Sequence, residues 1–450
     1  MKTRERVKLR YRFEPVAGPA PSALRDYADL VRLLTLAYPE NVPNLPFGSS
    51  SRVPENIAAF STVPIARAAG RPGLRLRGIE TADGQILTAK TFDRAGRLAR
   101  VDYIGGFSTT YRWGHNGRLE EVRLEDGRTI SFRYDASGKL AQIEYPGQRH
   151  FAFSVDDLNR LSSAIFPNGF CVLYQYDPVT GWLRRVSSGD CAIEYIPGKG
   201  NTLGALCVHK GNDSRALNLH AKDLRLGADD LVYSKSDRRM LSSLGIYGYG
   251  EDGRIESILQ PDGQIVIQQS DPSRGAAHAA LNLWSLRGQE TFDYDSRGSL
   301  VSMIASHGDR TVFHRLSDRT VLALKASSAA IMHLDGTGRL ERIRPDDGTY
   351  AVFRYSSPEN LSSIQNGAGR LRVRSDRDGL PTSLICPRLL NATISYGSDP
   401  LPKSIRLRTF RSDVVTAATR FAELLWQTQV NLPLYLKGFR NSSGSTNLKR

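Results

Sequence analysis

Cysteine is scarce in this chain, with four in 450 residues. Cys171, Cys191, Cys207 and Cys386 form no Cys-x-x-Cys pair and keep no regular spacing, which argues against both a zinc site and a disulfide framework. Uninterrupted apolar runs are missing as well. No window approaches the roughly 18 apolar residues of a membrane-spanning helix, and the charged stretch Met1 to Arg10 leads into nothing resembling a secretory leader. The protein is therefore expected to be cytoplasmic as synthesised, with any export using a leaderless route such as a type six secretion system. Motifs of chemistry are equally sparse. The eight histidines include no His-Glu-x-x-His, and neither a Gly-x-Ser-x-Gly elbow nor a phosphate-binding loop is present. Gly248-Tyr249-Gly250 mimics a glycine-rich fingerprint but leads into a turn rather than a helix. No catalytic residue, cofactor or metal is expected, and the chain reads as non-enzymatic.

What the chain has in quantity is a repeated phrase. A turn ending Gly-Arg-Leu, or a near variant, places leucine at Leu98, Leu119, Leu140, Leu161 and Leu183, at intervals of 21, 21, 21 and 22 residues. A second register passes through Ile255, Leu300, Leu340, Leu361 and Leu380. Self-similarity of this kind marks units that bury their apolar faces only against their neighbours. Between these turns lies another set, including Asp83-Gly84, Asp126-Gly127, Pro146-Gly147 and Asn366-Gly367. Asp-Gly and Asn-Gly supply the positive φ that two-residue hairpin loops require. Ile130, Phe132 and Tyr134 alternate with polar neighbours, as do Val172, Tyr174 and Tyr176, so each unit is expected to hold two antiparallel strands with one face buried.

The repeat region is expected over 76–400, worn between 187 and 245 by insertion or by decay of the hairpins. Residues 1–75 read as a non-repeat leader, with a helix capped by Ser22 and a proline-rich connector from Pro39 to Pro72. Over 401–450 an amphipathic helix precedes a tail of disordered composition. That helix suits either capping of the array or partner docking, the docking stripe being Phe421, Leu424, Leu425 and Trp426.

The net charge of +15 favours acidic partners in general. Arg97, Arg118, Lys139, Arg160, Arg254 and Arg339 occupy one place in successive turns, however. They are expected to be solvated turn residues, which makes nucleic acid an unlikely partner.

The stretches Phe92-Asp93-Arg94-Ala95-Gly96-Arg97-Leu98, Tyr134-Asp135-Ala136-Ser137-Gly138-Lys139-Leu140, Tyr294-Asp295-Ser296-Arg297-Gly298-Ser299-Leu300 and Asp335-Gly336-Thr337-Gly338-Arg339-Leu340 resemble the YD repeat of the RHS family. The resemblance implies a hollow shell of wound hairpin sheet, in a family linked to bacterial competition, insecticidal complexes and cell-surface adhesion. The repeats here are few for a complete cocoon. The nearest stretch to the family's Asp-Pro-x-Gly-Leu signature, Asp399-Pro400-Leu401, lacks the Gly-Leu.

In the turns, Asp93, Asp135 and Asp295 are expected to accept backbone N–H bonds, and Gly96, Gly117, Gly138, Gly298 and Gly338 to take the left-handed position. Leu98, Leu119, Leu140, Leu300 and Leu340 then open strands facing inward, while Tyr134 and Tyr294 pack against the neighbouring hairpin.

The expected fold is mainly β, an array of hairpins of about 21 residues wound as a curved sheet or partial shell with short flanking helices. Pairs of units would also suit the roughly 40–45-residue blades of a β-propeller. The expected role is a structural or encapsulating module of an RHS-like toxin system that binds another polypeptide: a guest, a toxin or a protein that completes the shell. The alternatives are a propeller-like protein- or carbohydrate-binding adhesion module and a short toxin segment beyond residue 400.

Overall fold

The period-two segments are strands, thirty-four among the described residues, from β1 (Leu9–Pro15) to β34 (Pro402–Thr409). The computed structural model describes residues 9–15, most of 74–217, strand segments between 223 and 285, most of 288–409, and 421, 422, 424 and 425. The expected leader helix, the proline-rich connector, Trp426 and the tail lie outside them. Alternation sets the buried face. In β7 (Thr129–Tyr134) Ile130 and Phe132 are buried and Arg133 is exposed, and in β11 (Cys171–Tyr176) Val172 and Tyr174 are buried and Leu173 is exposed.

Strands β1 to β15 (Asp213–Leu217) form one sheet of 15 strands in sequence order. Strands β16 (Asp223–Leu226) to β34 form a second. There β16 pairs with β34 through Leu224↔Leu407 and Leu226↔Ile405, which brings the first strand of that sheet back to its last. Every other pairing joins antiparallel neighbours in sequence, the short-range topology that hairpin loops permit. Two long ladders replace the radial four-stranded blades of a propeller, and that alternative is overturned.

Strands extend past two of the expected boundaries. The leader supplies a strand, because β1 pairs with β2 (Leu74–Thr81) from Leu9↔Thr81 to Pro15↔Leu74. The last strand lies beyond residue 400. In the worn stretch, for which insertion and decayed hairpins were both open, the described residues include strands: β13 (Cys191–Pro197), β14 (Leu203–Lys210) and β15 complete the first sheet, and β16 opens the second. The repeat weakens where the chain passes from the first sheet to the second.

Inward-facing side chains of both sheets meet in one apolar cluster, from Ile79 and Leu87 through Leu206 to Leu322 and Leu407. Within it Phe151 packs edge-on against Phe153 and Phe166, with ring centroids 4.5 and 4.7 Å apart. Such aromatic contacts add to the area they bury. Cys191 and Cys386 are buried in the same core.

Candidate functional site

The turn is the unit from which the wall is built. At Asp135 the backbone N–H donates to Lys139 O at 2.8 Å and Gly138 N donates to Asp135 O at 2.9 Å, while Asp135 Oδ1 accepts from Lys139 N at 2.8 Å and Ser137 Oγ at 2.7 Å. Gly138 has φ 86°, a region costly to residues with a Cβ. Gly96, Gly117, Gly298 and Gly338 share that sign. Asp93 accepts from Arg97 N and Asp295 from Ser299 N, both at 2.8 Å. Leu98, Leu119, Leu140, Leu300 and Leu340 are all buried.

The second set of turns uses the same loop. Gly84 N bonds Thr81 O and Thr81 N bonds Gln85 O; Gly127 and Arg128 repeat this around Leu124. These are three-residue loops, a type I turn closed by a left-handed glycine, instead of the two-residue loops expected. Both forms match strand twist, and the extra residue is absorbed as a bulge. Asn366-Gly367 departs differently: Gly367 has no positive φ, and Asn366 Oδ1 accepts from Gly369 N at 3.0 Å.

Successive turns are stapled together. Tyr134 Oη donates to Leu119 O at 2.8 Å, Tyr176 to Leu161 O at 2.9 Å and Tyr355 to Leu340 O at 2.7 Å, while Trp113 Nε1 reaches Leu98 O at 2.7 Å. Burial pushes the Tyr134 hydroxyl up to about 12, so it remains a donor at neutral pH. The Gly-Arg-Leu arginine lies over the next aromatic ring. Arg160 is 4.3 Å from the centroid of Tyr176 and Arg339 is 4.6 Å from that of Tyr355, within cation–π range. Each also binds its own turn, Arg160 Nε to Asp156 and Arg339 Nε to Asp335 at 2.7 Å, and the carbonyl of the next turn at 3.3 Å. Expectation is corrected here: Arg97, Arg160 and Arg339 are only 21–22% exposed because ring, carboxylate and carbonyl enclose the guanidinium. Their signal in the sequence is the constant spacing of 16 residues from arginine to aromatic.

The two sheets meet at a polar seam inside this apolar wall. Arg310, on β25 (Arg310–Ser317) and 1% exposed, donates through Nη1 to Glu125 Oε2 and through Nη2 to Oε1 at 3.0 Å, with Ser302 Oγ and Ser108 O at 3.3 Å and the Phe107 ring at 4.6 Å. Arg128 grips Asp293 with both nitrogens, at 3.1 and 2.9 Å, and Ser302 Oγ donates to the same carboxylate. Buried Lys90 donates to Ser327 Oγ at 2.7 Å. Gly308, at φ 83°, lies where a Cβ would strike Val122 of the other sheet, so it sets how closely the sheets approach. Thr109 Oγ1, Tyr111 Oη, Asp309 Oδ1, Arg310 Nε and Thr311 Oγ1 are buried here without a protein partner. These pairs lie 165 to 237 residues apart in sequence, so no local pattern announces them.

Burial works against the charge on Glu125, yet hydrogen bonds from Arg310 and Ser108 N hold its carboxyl below the usual range. Glu14 is lowered likewise by Arg75 and Arg77 against burial. A carboxyl depressed on folding adds stability that is complete above its unfolded value, near 4.5 for glutamate, and is lost as pH falls through the folded value. The thermal midpoint should be level from neutral pH down to about 5 and fall below about 4.5, less steeply in Glu125→Gln. A midpoint that holds to pH 3 would contradict this.

Four residues from the C-terminal helix complete the interior. Phe421, Ala422 and Leu424 have no exposed surface and Leu425 has 3%, and all four join the cluster formed by the inward faces of both sheets. The described part of the docking stripe is thus covered by the chain's own wall.

Residues 74–205 match the family model of the teneurin YD-shell. No curated protein matches the chain. The crystal structure of TcdB2-TccC3-Cdc42 is similar to 74% of this chain at 10% identity, with 21% of that chain covered and a TM-score of 0.25. The crystal structure of TcdB2-TccC3 gives 77%, 9%, 24% and 0.23, and the Photorhabdus luminescens Tc holotoxin pore 72%, 11%, 19% and 0.23. The chain spans about a fifth of the length of these structures. Phased Gly-Arg-Leu turns, their stapled ladder and the match over 74–205 identify that part of the chain as an array of YD-shell type, a structural β module.

Proposed function

We propose that the chain is a non-enzymatic container for polypeptide, whose inner wall takes up an extended or helical apolar segment and shields it from water. The burial of Phe421, Ala422, Leu424 and Leu425 within the core cluster that both sheets share supports this reading. A wall of alternating strands offers apolar side chains at regular spacing and few chemical groups, which suits holding a guest better than transforming it. The guest is the chain's own C-terminal segment, or a polypeptide that continues from or replaces it, as in a toxin system of RHS type. A toxin made by the segment beyond residue 400 is a weaker reading, because β34 is already committed to the sheet. An unstructured 40-residue peptide fused to the C-terminus of the whole chain should resist proteinase K while a free copy is digested. Digestion of the fused and free peptides at equal rates would remove the container reading.

A further inference from the structure

The outer surface is not uniform in charge, although the turn arginines are. On β4 (Leu98–Tyr103), β5 (Ser108–Trp113), β6 (Leu119–Leu124), β7 and β8 (Leu140–Tyr145) four arginines are matched by four carboxylates. They pair: Arg100 with Asp102, Arg112 with Glu120 and Glu121, Arg123 with Glu121, and Arg133 with Glu144. On the seven strands from β28 (Leu340–Pro345) to β34 there are eight arginines and one lysine against a single carboxylate, Glu341.

Register gathers these charges into rows. One row runs Arg354↔Ser363↔Arg372↔Ile385↔Asn391↔Arg408, and the next runs Arg374↔Ser383↔Thr393↔Arg406. Arg344, Arg354, Arg372 and Arg374 are exposed, and none forms an ion pair among the described residues. Arg354 and Arg372 lie two strands apart, about 10 Å, and Arg372 and Arg374 two residues along one strand, about 7 Å. The fillers are mainly small and polar.

We infer that this outer face of β28–β34 binds the phosphate backbone of double-stranded nucleic acid without reading its sequence. A stable protein interface has an apolar or aromatic centre depleted of charge, and this face has none. An anionic membrane surface is met by basic residues together with apolar anchors, and no exposed large apolar side chain projects from these seven strands. Single strands are held by aromatic platforms, whereas Tyr355 and Tyr396 spend their hydroxyls on turn carbonyls. What remains is an array of exposed forked cations, the arrangement that neutralises phosphates.

Fluorescence anisotropy of the full chain with a labelled mixed-sequence DNA duplex tests this between 50 and 200 mM salt. Each phosphate contact contributes about 0.9 to the logarithmic salt slope. The R354Q/R372Q/R374Q variant should lower that slope by about 2.7, so that over this range the parent loses about fortyfold more affinity than the variant. R100Q/R112Q/R133Q removes the same net charge from the paired face and should leave the slope unchanged, with far-UV circular dichroism confirming that both variants fold. The inference fails if no salt-dependent binding appears or both triples lose affinity equally. It also fails if phosphatidylserine vesicles or polyglutamate bind as well as the duplex.

Discussion

Replacing Glu125 by alanine should destabilise the protein by about 3–5 kcal/mol, the cost of leaving a buried charge without its partner. The charge stranded is that of Arg310, 1% exposed, with Ser302, Ser108 and the Phe107 ring as its remaining company. The reverse substitution, Arg310→Met, should cost less. It leaves the Glu125 carboxylate, whose side chain is 28% exposed and can turn to water, and it fills the guanidinium's space with an apolar chain. Equilibrium denaturation of both variants measures the asymmetry. A larger loss for Arg310→Met would mean that packing against Phe107 and Phe107's ring charge distribution outweigh the ion pair. Because the pair ties β25 of the second sheet to Glu125 of the first, the loss should also appear as faster amide exchange on both sides of the seam.

Phe421→Ala should release the C-terminal segment from the wall. A fully buried phenylalanine replaced by alanine costs about 3–5 kcal/mol, and Phe421 has no exposed surface. The segment is short, so the loss falls on its docking equilibrium, and protease cleavage of the C-terminal region should accelerate by a hundredfold or more. The β ladder, held by its own hydrogen bonds and staples, should keep its far-UV spectrum. Unchanged cleavage would show that Phe421 contributes little to holding the segment. Collapse of the whole ladder would show that the segment is part of the folding core, not an occupant of it.

Much of the wall was legible in the chain. The interval from Leu98 to Leu161 gives the strand period because each hairpin repeats the same loop, and the loop demands Asp and Gly at set places. Alternation in β7 and β11 gives the inward face, since a strand's side chains point to opposite sides. The partner of each turn arginine was legible in principle: Arg118 to Tyr134 and Arg160 to Tyr176 share one spacing. The solvated reading failed there because a charge next to a turn looks alike in sequence whether water or a ring covers it. The charge face of β28–β34 was hidden for a related reason. Its arginines are spread over four strands well separated in sequence, and register alone lays them side by side.

The sequence by itself determined the strand content, the turn chemistry, the buried face and the resemblance to YD repeats, because each depends on residues within about one repeat of each other. Only the tertiary structure decided the change of sheet near residue 220, the pairing of β16 with β34, the Arg310–Glu125 and Arg128–Asp293 seam, and the place of Phe421 inside the wall. Those contacts join residues far apart along the chain. Their free energy comes from desolvation and complementary geometry, which exist only once both surfaces are built.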